Sequence, residues 1–355
     1  MNHKSILNKF AMGLTIRGRI IALFFCSLWL ACTACDDDDN ATRVEEPVKN
    51  FSTEATSSMQ SIWSTAPELS AKDTRTAAYA TIQGWADACP AEAVYMKYRD
   101  ASPALSAAIQ NLYPVLQCYD LAFDRVLDAL KAGMPADGKP RLWMLYNMGI
   151  VVQTSAGNYA IDIYHRRGAE LAPYLDFYAM THIHADHRCD ALATAMSEAG
   201  KPVMSNFAIT GVNNSEFMST EGKDYKVGGF DIHSFITHHN SSPLSSLAIT
   251  AFFVEGGGVS VLHSGDSNFI ADEFESMRGR DVDFYVFRYA VNALTENNVL
   301  GNIVNPKVAV LAHILELGHK DVANSRWTLE LGLDRASRLN SANVVMPFWG
   351  DALSL

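Results

Sequence analysis

From about residue 55 to 135, apolar positions recur with a period of about 3.6, in Ala-rich stretches at 71–88, 104–116 and 121–132. Pro67, Pro90, Pro103 and Gly133 punctuate them, so this part of the chain reads as helical. After the turn Pro135-Ala136-Asp137-Gly138 the texture changes to short runs rich in Val, Ile, Tyr and Phe. Segments 142–152 and 158–164 read as paired strands joined by Thr154-Ser155-Ala156-Gly157. Next come a strand at 175–180, a helix at 190–199 and a short strand at 202–204. Further strands are predicted at 230–237, 246–254, 259–263, 283–287 and 308–311, with helical segments between and after them. Strands alternating with helices, with polar motifs at the strand ends, imply a layered α/β fold. There is no internal repeat.

The first residues carry a different pattern. Lys4, Lys9, Arg17 and Arg19 precede an uncharged apolar run over 20–31, about twelve residues, too short to span a bilayer and shaped like the core of an export signal. Leu30-Ala31-Cys32-Thr33-Ala34-Cys35 and the run Asp36-Asp37-Asp38-Asp39 follow. This resembles the lipidation site of bacterial lipoproteins, and a cysteine before acidic residues resembles the surface-export signal of the Bacteroidetes group. The resemblance implies a signal peptide over 1–35, lipid on Cys35 with Cys32 as the alternative, and a protein tethered in the envelope, at the outer membrane or cell surface. Residues 36–54 are polar and acidic and read as a solvated tether. The remaining 300 or so residues divide into a helical accessory region, 55–140, and a second part, 141–355, large enough for a sizeable core.

A net charge of −11 disfavours nucleic acid as a partner, since phosphate binding needs a basic surface. In an oxidising compartment Cys89 and Cys118 are candidates to pair, although spacing does not establish it, and Cys189 reads as packing before ligand.

The chemistry concentrates in Thr181-His182-Ile183-His184-Ala185-Asp186-His187, directly after the strand at 175–180. If the strand continued, His182 and His184 would point the same way and share one metal, with Asp186 and His187 in the following turn beside a second. Imidazole plus carboxylate suits zinc, iron or manganese. Three more strands end in such groups: one in His238-His239, one in His263-Ser264-Gly265-Asp266, and one in His313.

In this order the motifs resemble the metallo-β-lactamase-fold hydrolase superfamily over about 142–355. The resemblance implies an αββα sandwich and two divalent ions, zinc first, with manganese or iron as alternatives. His182, His184 and His239 would hold one ion and Asp186, His187 and His313 the other, with Asp266 bridging and a hydroxide between them as nucleophile. Asp186 and Asp266 are the catalytic carboxylates in this reading. His239 is preferred to His238 by its seven-residue step from Ile232, with a one-residue slip left open. Asp162 matches the superfamily's early structural aspartate, although the glycine usually following it is missing. Glu316 and His319 are candidates to support the ligands or donate a proton, and Trp349 and Asp351 to line the cleft. His165, His233 and His263 read as packed or hydrogen-bonded.

Superfamily β-lactamases usually carry cysteine or serine where Asp266 stands, which disfavours β-lactam hydrolysis. A small-molecule ester, lactone or phosphodiester is the expected substrate. Segment 245–250 followed by 263–266 resembles class II cyclic-nucleotide phosphodiesterases and, equally, lactonase-type relatives. The rival class is a metal-binding surface lipoprotein without turnover, which fits less well because every expected ligand is present.

Overall fold

A computed structural model describes residues 51–69, 72–90, 97–241, 245–289, 291–318, 327–339 and 341–355, all within one compact unit spanning Pro47–Leu355. The export segment with Cys32 and Cys35, the tether up to residue 50, and His319 lie outside the described residues. Among the described residues no helix is long and apolar enough to cross a membrane.

Among the described residues, helices come first: α1 (Thr53–Trp63), α2 (Lys72–Ala88), a helical stretch at 97–100, α3 (Pro103–Leu112) and α4 (Pro114–Ala132). Their starts are chemically marked. The Ser52 hydroxyl accepts the Ala55 N–H at 3.1 Å, the Ser102 hydroxyl accepts the Leu105 N–H, and Pro103 and Pro114 occupy first-turn positions that need no N–H donor. Helix α1 was not legible as a separate element, because its apolar face is short.

Two sheets follow. The first contains β1 (Arg141–Met144), β2 (Ile150–Thr154), β3 (Gly157–Ile161), β4 (Phe177–Ala179) and β5 (Val203–Met204), edged beyond β1 by the C-terminal strand β13 (Ala352–Leu353). Helix α5 (Asp190–Glu198) connects β4 to β5. The second sheet runs in the order β12-β11-β10-β9-β8-β7-β6. Its members are β6 (Lys223–Val227), β7 (Phe230–Ser241), β8 (Ser245–Gly256), β9 (Val259–His263), β10 (Val282–Arg288), β11 (Pro306–Ala312) and β12 (Val344–Val345). Strands β6 to β9 pair antiparallel, whereas β9, β10, β11 and β12 are parallel, so the ends of β9 and β11 that carry Asp266 and His313 emerge on one side.

Side-chain alternation builds the layers. Leu142, Ile150, Val152, Ile161, Phe177 and Ala179 from the first sheet meet Phe230, Ile232, Phe252, Val254, Val261, Val286 and Val310 from the second in one apolar cluster. The intervening residues, among them Trp143, Val151, Tyr178, Phe253, Tyr285 and Leu311, join the helices in a second cluster. The result is the expected αββα sandwich, with the sheets face to face and helices outside. The helical region packs directly on it. Arg75 on α2 is buried and donates to the buried Asp351 carboxylate at 2.7 Å, and the Trp63 indole donates to the Trp349 carbonyl.

Several expectations need correction. Segment 142–152 is two antiparallel strands, not one, reversing through Leu145–Gly149, where Asn147 adopts φ 60°. Asp351 is engaged by Arg75, and Trp349 is buried against Phe348 and Tyr146; neither belongs to a candidate ligand group. No disulfide joins Cys89 to Cys118; both are buried thiols.

Candidate metal centre

The histidine motif does not continue strand β4, which ends at Ala179. Residues 181–183 bend, and Ala185–His187 form a single 3₁₀ turn. Strand periodicity is therefore not what brings these imidazoles together. The bend is anchored by the fully buried Asp162, at φ 53° just past β3. Its Oδ1 accepts the Thr181 N–H at 2.7 Å, and its Oδ2 accepts the Thr181 hydroxyl at 2.7 Å and faces His187 Nδ1 at 2.8 Å. Asp162 thus occupies the supporting place its match implied. A carboxylate here can only accept, so a proton stays on His187 Nδ1 and it is Nε2 that faces the centre.

The other arms come from the second sheet. After β9 the chain turns sharply at Gly265, at φ 49°, and a Cβ there would lie 2.6 Å from the Thr181 hydroxyl. That turn delivers Asp266. His313 follows β11 at φ 61°, and its N–H donates to the Asn147 carbonyl at 3.0 Å. His239 lies near the end of β7, opposite Leu247 of β8.

Three overlapping groups result, each holding ligand atoms within 4.8 Å of one another: His182, His187 and Asp266; His184, His239 and Asp266; and Asp186, His187 and His313. All seven expected residues converge. His182 groups with His187 and Asp266, and its ring also lies 4.6 Å from that of His184 and 6.0 Å from that of His239. Asp266 is central. Its Oδ2 lies 4.0 Å from His182 Nε2 and 3.8 Å from His239 Nε2, and its Oδ1 lies 3.5 Å from both His187 Nε2 and His313 Nε2. His238, one residue earlier on β7, is directed elsewhere, and its Nδ1 meets Glu273 Oε1 at 2.5 Å.

The donor set suits divalent cations. His182 Nε2, His187 Nε2 and Asp266 Oδ1 are buried without a hydrogen-bond partner, an arrangement that costs free energy unless something fills it. The titration pattern agrees. Burial would raise the carboxyls of Asp186 and Asp266, but His187 and His313 beside them outweigh it and hold both well below the ordinary range. Burial would lower His187 and His313, yet the surrounding carboxylates push His187 well up and His313 to about 10. In the metal-free protein, protons on these two imidazoles thus supply the positive charge the carboxylates demand. His182 and His239 are instead driven down by burial, His239 to about 4, and stay neutral.

Glu316 is buried, with Oε2 3.8 Å from His313 Nε2, which places it beside the centre as expected. The remaining histidines are packed. His165 stacks between Tyr119 and Phe123, His263 Nε2 faces the Met148 carbonyl, and His233 pairs with Asp224. The Cys189 thiol faces the His165 carbonyl and belongs to no ligand group.

Sequence reasoning missed Asn147, Thr181 and Tyr289. The Asn147 side-chain amide donates to Asp186 Oδ2 at 2.8 Å, while its main-chain carbonyl accepts the His313 N–H. The Asn-Met-Gly step at 147–149 is a turn signal that the apolar run around it masked. Tyr289 packs edge-on to His313 (5.9 Å) and stacks on Trp327 beneath the Arg335 guanidinium, and no motif announces it.

A scan against protein-family models and a search of curated proteins find no match. Among solved structures, the chain is similar to a metallo-hydrolase from the archaeon Ignicoccus hospitalis, at 15% identity and a TM-score of 0.44 over 61% of this chain and 98% of the other. A metallo-β-lactamase-fold protein from Bacillus subtilis matches at 13% identity and a TM-score of 0.43, over 61% of this chain and 100% of the other. An isothiocyanate hydrolase from Delia radicum gut bacteria matches at 15% identity and a TM-score of 0.43, over 60% and 98%. At these scores the likenesses add nothing to the site; the architecture rests on the strand order and layer packing, and the candidate centre on its own geometry.

Proposed function

We propose that the protein is a dinuclear metal-dependent hydrolase acting on a small-molecule ester, lactone or phosphodiester. The observation that carries this reading is Asp266, whose two oxygens each face a separate pair of imidazoles. His182, His184 and His239 would serve one ion and Asp186, His187 and His313 the other, with Asp266 between them. When bound, two such ions, zinc first, supply Lewis acidity and an activated water near neutral pH.

The chain's own groups do the rest. Asp162 fixes the His187 tautomer, and Asn147 fixes Asp186. Two carboxylates among neutral imidazoles leave the centre electrophilic while offsetting part of its charge. Tyr289 and Trp327 form an aromatic wall beside His313 that can exclude water from a bound substrate. Glu316, close to His313, is placed to take or give a proton as the leaving group departs.

Elemental analysis after metal loading should give about two divalent ions per chain, and the loaded protein should cleave chromogenic ester, lactone or phosphodiester probes. Asp266→Ala should lose both. Stoichiometric metal with no turnover of any probe would favour a binding protein, and absence of stoichiometric metal would overturn the reading. The envelope location is part of the proposal, and metabolic lipid labelling should be lost when Cys32 and Cys35 are both replaced by serine.

A further inference from the structure

A cavity of about 410 Å³ lies beside the loop that carries the histidine motif. Ile183 and Ala185, the residues between the ligands, line it, whereas none of the seven clustered residues does. Its polar lining includes three guanidiniums, Arg99, Arg166 and Arg188, an unexpected concentration in a chain of net charge −11.

Two of the three have carboxylate partners. Arg99 Nε lies 3.0 Å from Asp100 Oδ1, and Arg188 donates to both oxygens of Asp190, at 2.9 and 2.6 Å. The pairs are lopsided. The Asp100 and Asp190 side chains are 62% and 54% exposed, the Arg99 and Arg188 side chains only 26% and 25%. The acids thus sit at the wet rim, where water screens them, and the guanidiniums lie deeper. The Arg188 guanidinium carries five N–H donors, more than the Asp190 carboxylate takes up. Arg166 lies over the Tyr98 ring at 5.3 Å and has no carboxylate partner among the described residues. Asp120, deeper still, is engaged by the Tyr98 hydroxyl, the Gln110 amide and His165. Among the described lining residues, three guanidiniums, Arg99, Arg166 and Arg188, stand against two carboxylates, Asp100 and Asp190.

We infer that this cavity binds an oxyanion, the carboxylate or phosphate of a small ligand, with Arg166 as the central contact and Arg99 and Arg188 flanking it. A planar fork suits such groups, and the Tyr164 ring, 5.1 Å beneath Arg99, and Ile183 give the ligand's apolar part a surface. The site is independent of the metal reading, because its residues and its test need no ion.

The test is calorimetric titration of inorganic phosphate, and separately of acetate, into the chelator-treated full chain. Saturable binding of either probe is expected, weakened about tenfold or more in Arg166→Gln and in Arg188→Gln, and retained in Asp266→Asn. Circular dichroism checks that each variant is folded, and Arg166→Lys should recover part of the affinity. Absence of saturable binding, or full binding in Arg166→Gln, overturns the inference. Binding lost in Asp266→Asn but kept in Arg166→Gln overturns it too, by placing the anion among the clustered histidines.

Discussion

Replacing Asp162 by asparagine is the most discriminating single change, because it removes one charge and turns one acceptor into a donor with almost no change in volume. In the native chain Oδ2 accepts from both the Thr181 hydroxyl and His187 Nδ1. Asparagine keeps an acceptor for the Thr181 N–H but places an NH₂ group where Oδ2 was. The Thr181 hydroxyl can rotate to accept. His187 cannot adapt so cheaply: to accept at Nδ1 it must move its proton to Nε2, the atom aimed at Asp186 and Asp266. Loss of a carboxylate behind a ligating histidine typically costs about 10–100-fold in metal affinity, or roughly 1.4–2.7 kcal/mol. Losing charge-assisted hydrogen bonds in a fully buried site adds a stability cost of about 1.5–3 kcal/mol. Chelator competition measures the first quantity, urea unfolding the second, and nitrogen-15 shifts of the His187 ring report the tautomer directly. A folded Asp162→Asn protein with wild-type metal affinity and its proton still on Nδ1 would refute this account.

Three further outcomes are expected. His239→Ala should lose metal and turnover, whereas His238→Ala, which breaks only the contact to Glu273, should keep both; metal analysis and probe hydrolysis decide, and the reverse result would reject the assignment of His239. Asp351→Ala strands the buried Arg75 and should cost about 3–5 kcal/mol in urea unfolding, while Arg75→Met with Asp351→Leu should be near neutral; equal losses would refute the ion-pair argument. The metal-free protein should be most stable near pH 6.5, the ordinary histidine value. Above it the folded state holds protons on His187 and His313 that the unfolded chain releases, so stability falls as pH rises, for His313 up to about pH 10. Below it the unfolded chain takes up protons that His182 and His239 refuse, His239 down to about pH 4, so stability falls again. Melting temperature against pH after chelation checks this, and a rise from pH 7 to 9 would contradict it.

What the sequence determined by itself is what local period and local chemistry encode. Long helices such as α4 carry a continuous 3.6-residue apolar stripe, and β9 and α5 are bounded by marks a reader can see. The seven converging residues were also legible, because imidazoles and carboxylates at successive strand ends have few other uses. What remained hidden depends on partners distant in sequence. His238 and His239 are adjacent on a strand and so face opposite ways; only pairing with β8 and the approach of Glu273 decide which one meets Asp266. His182 and His184 were expected to share a face by strand alternation, but it is the bend held by Asp162 that sets their rings 4.6 Å apart. The reversal at Asn147 was lost inside an apolar run because burial on both sides of a sheet erases alternation. Asp351 was read as a cleft residue because its true partner, Arg75, lies 276 positions away. Ligand types are written in local chemistry, whereas which of them meet is settled by sheet register and by buried charges that must find partners across the whole chain.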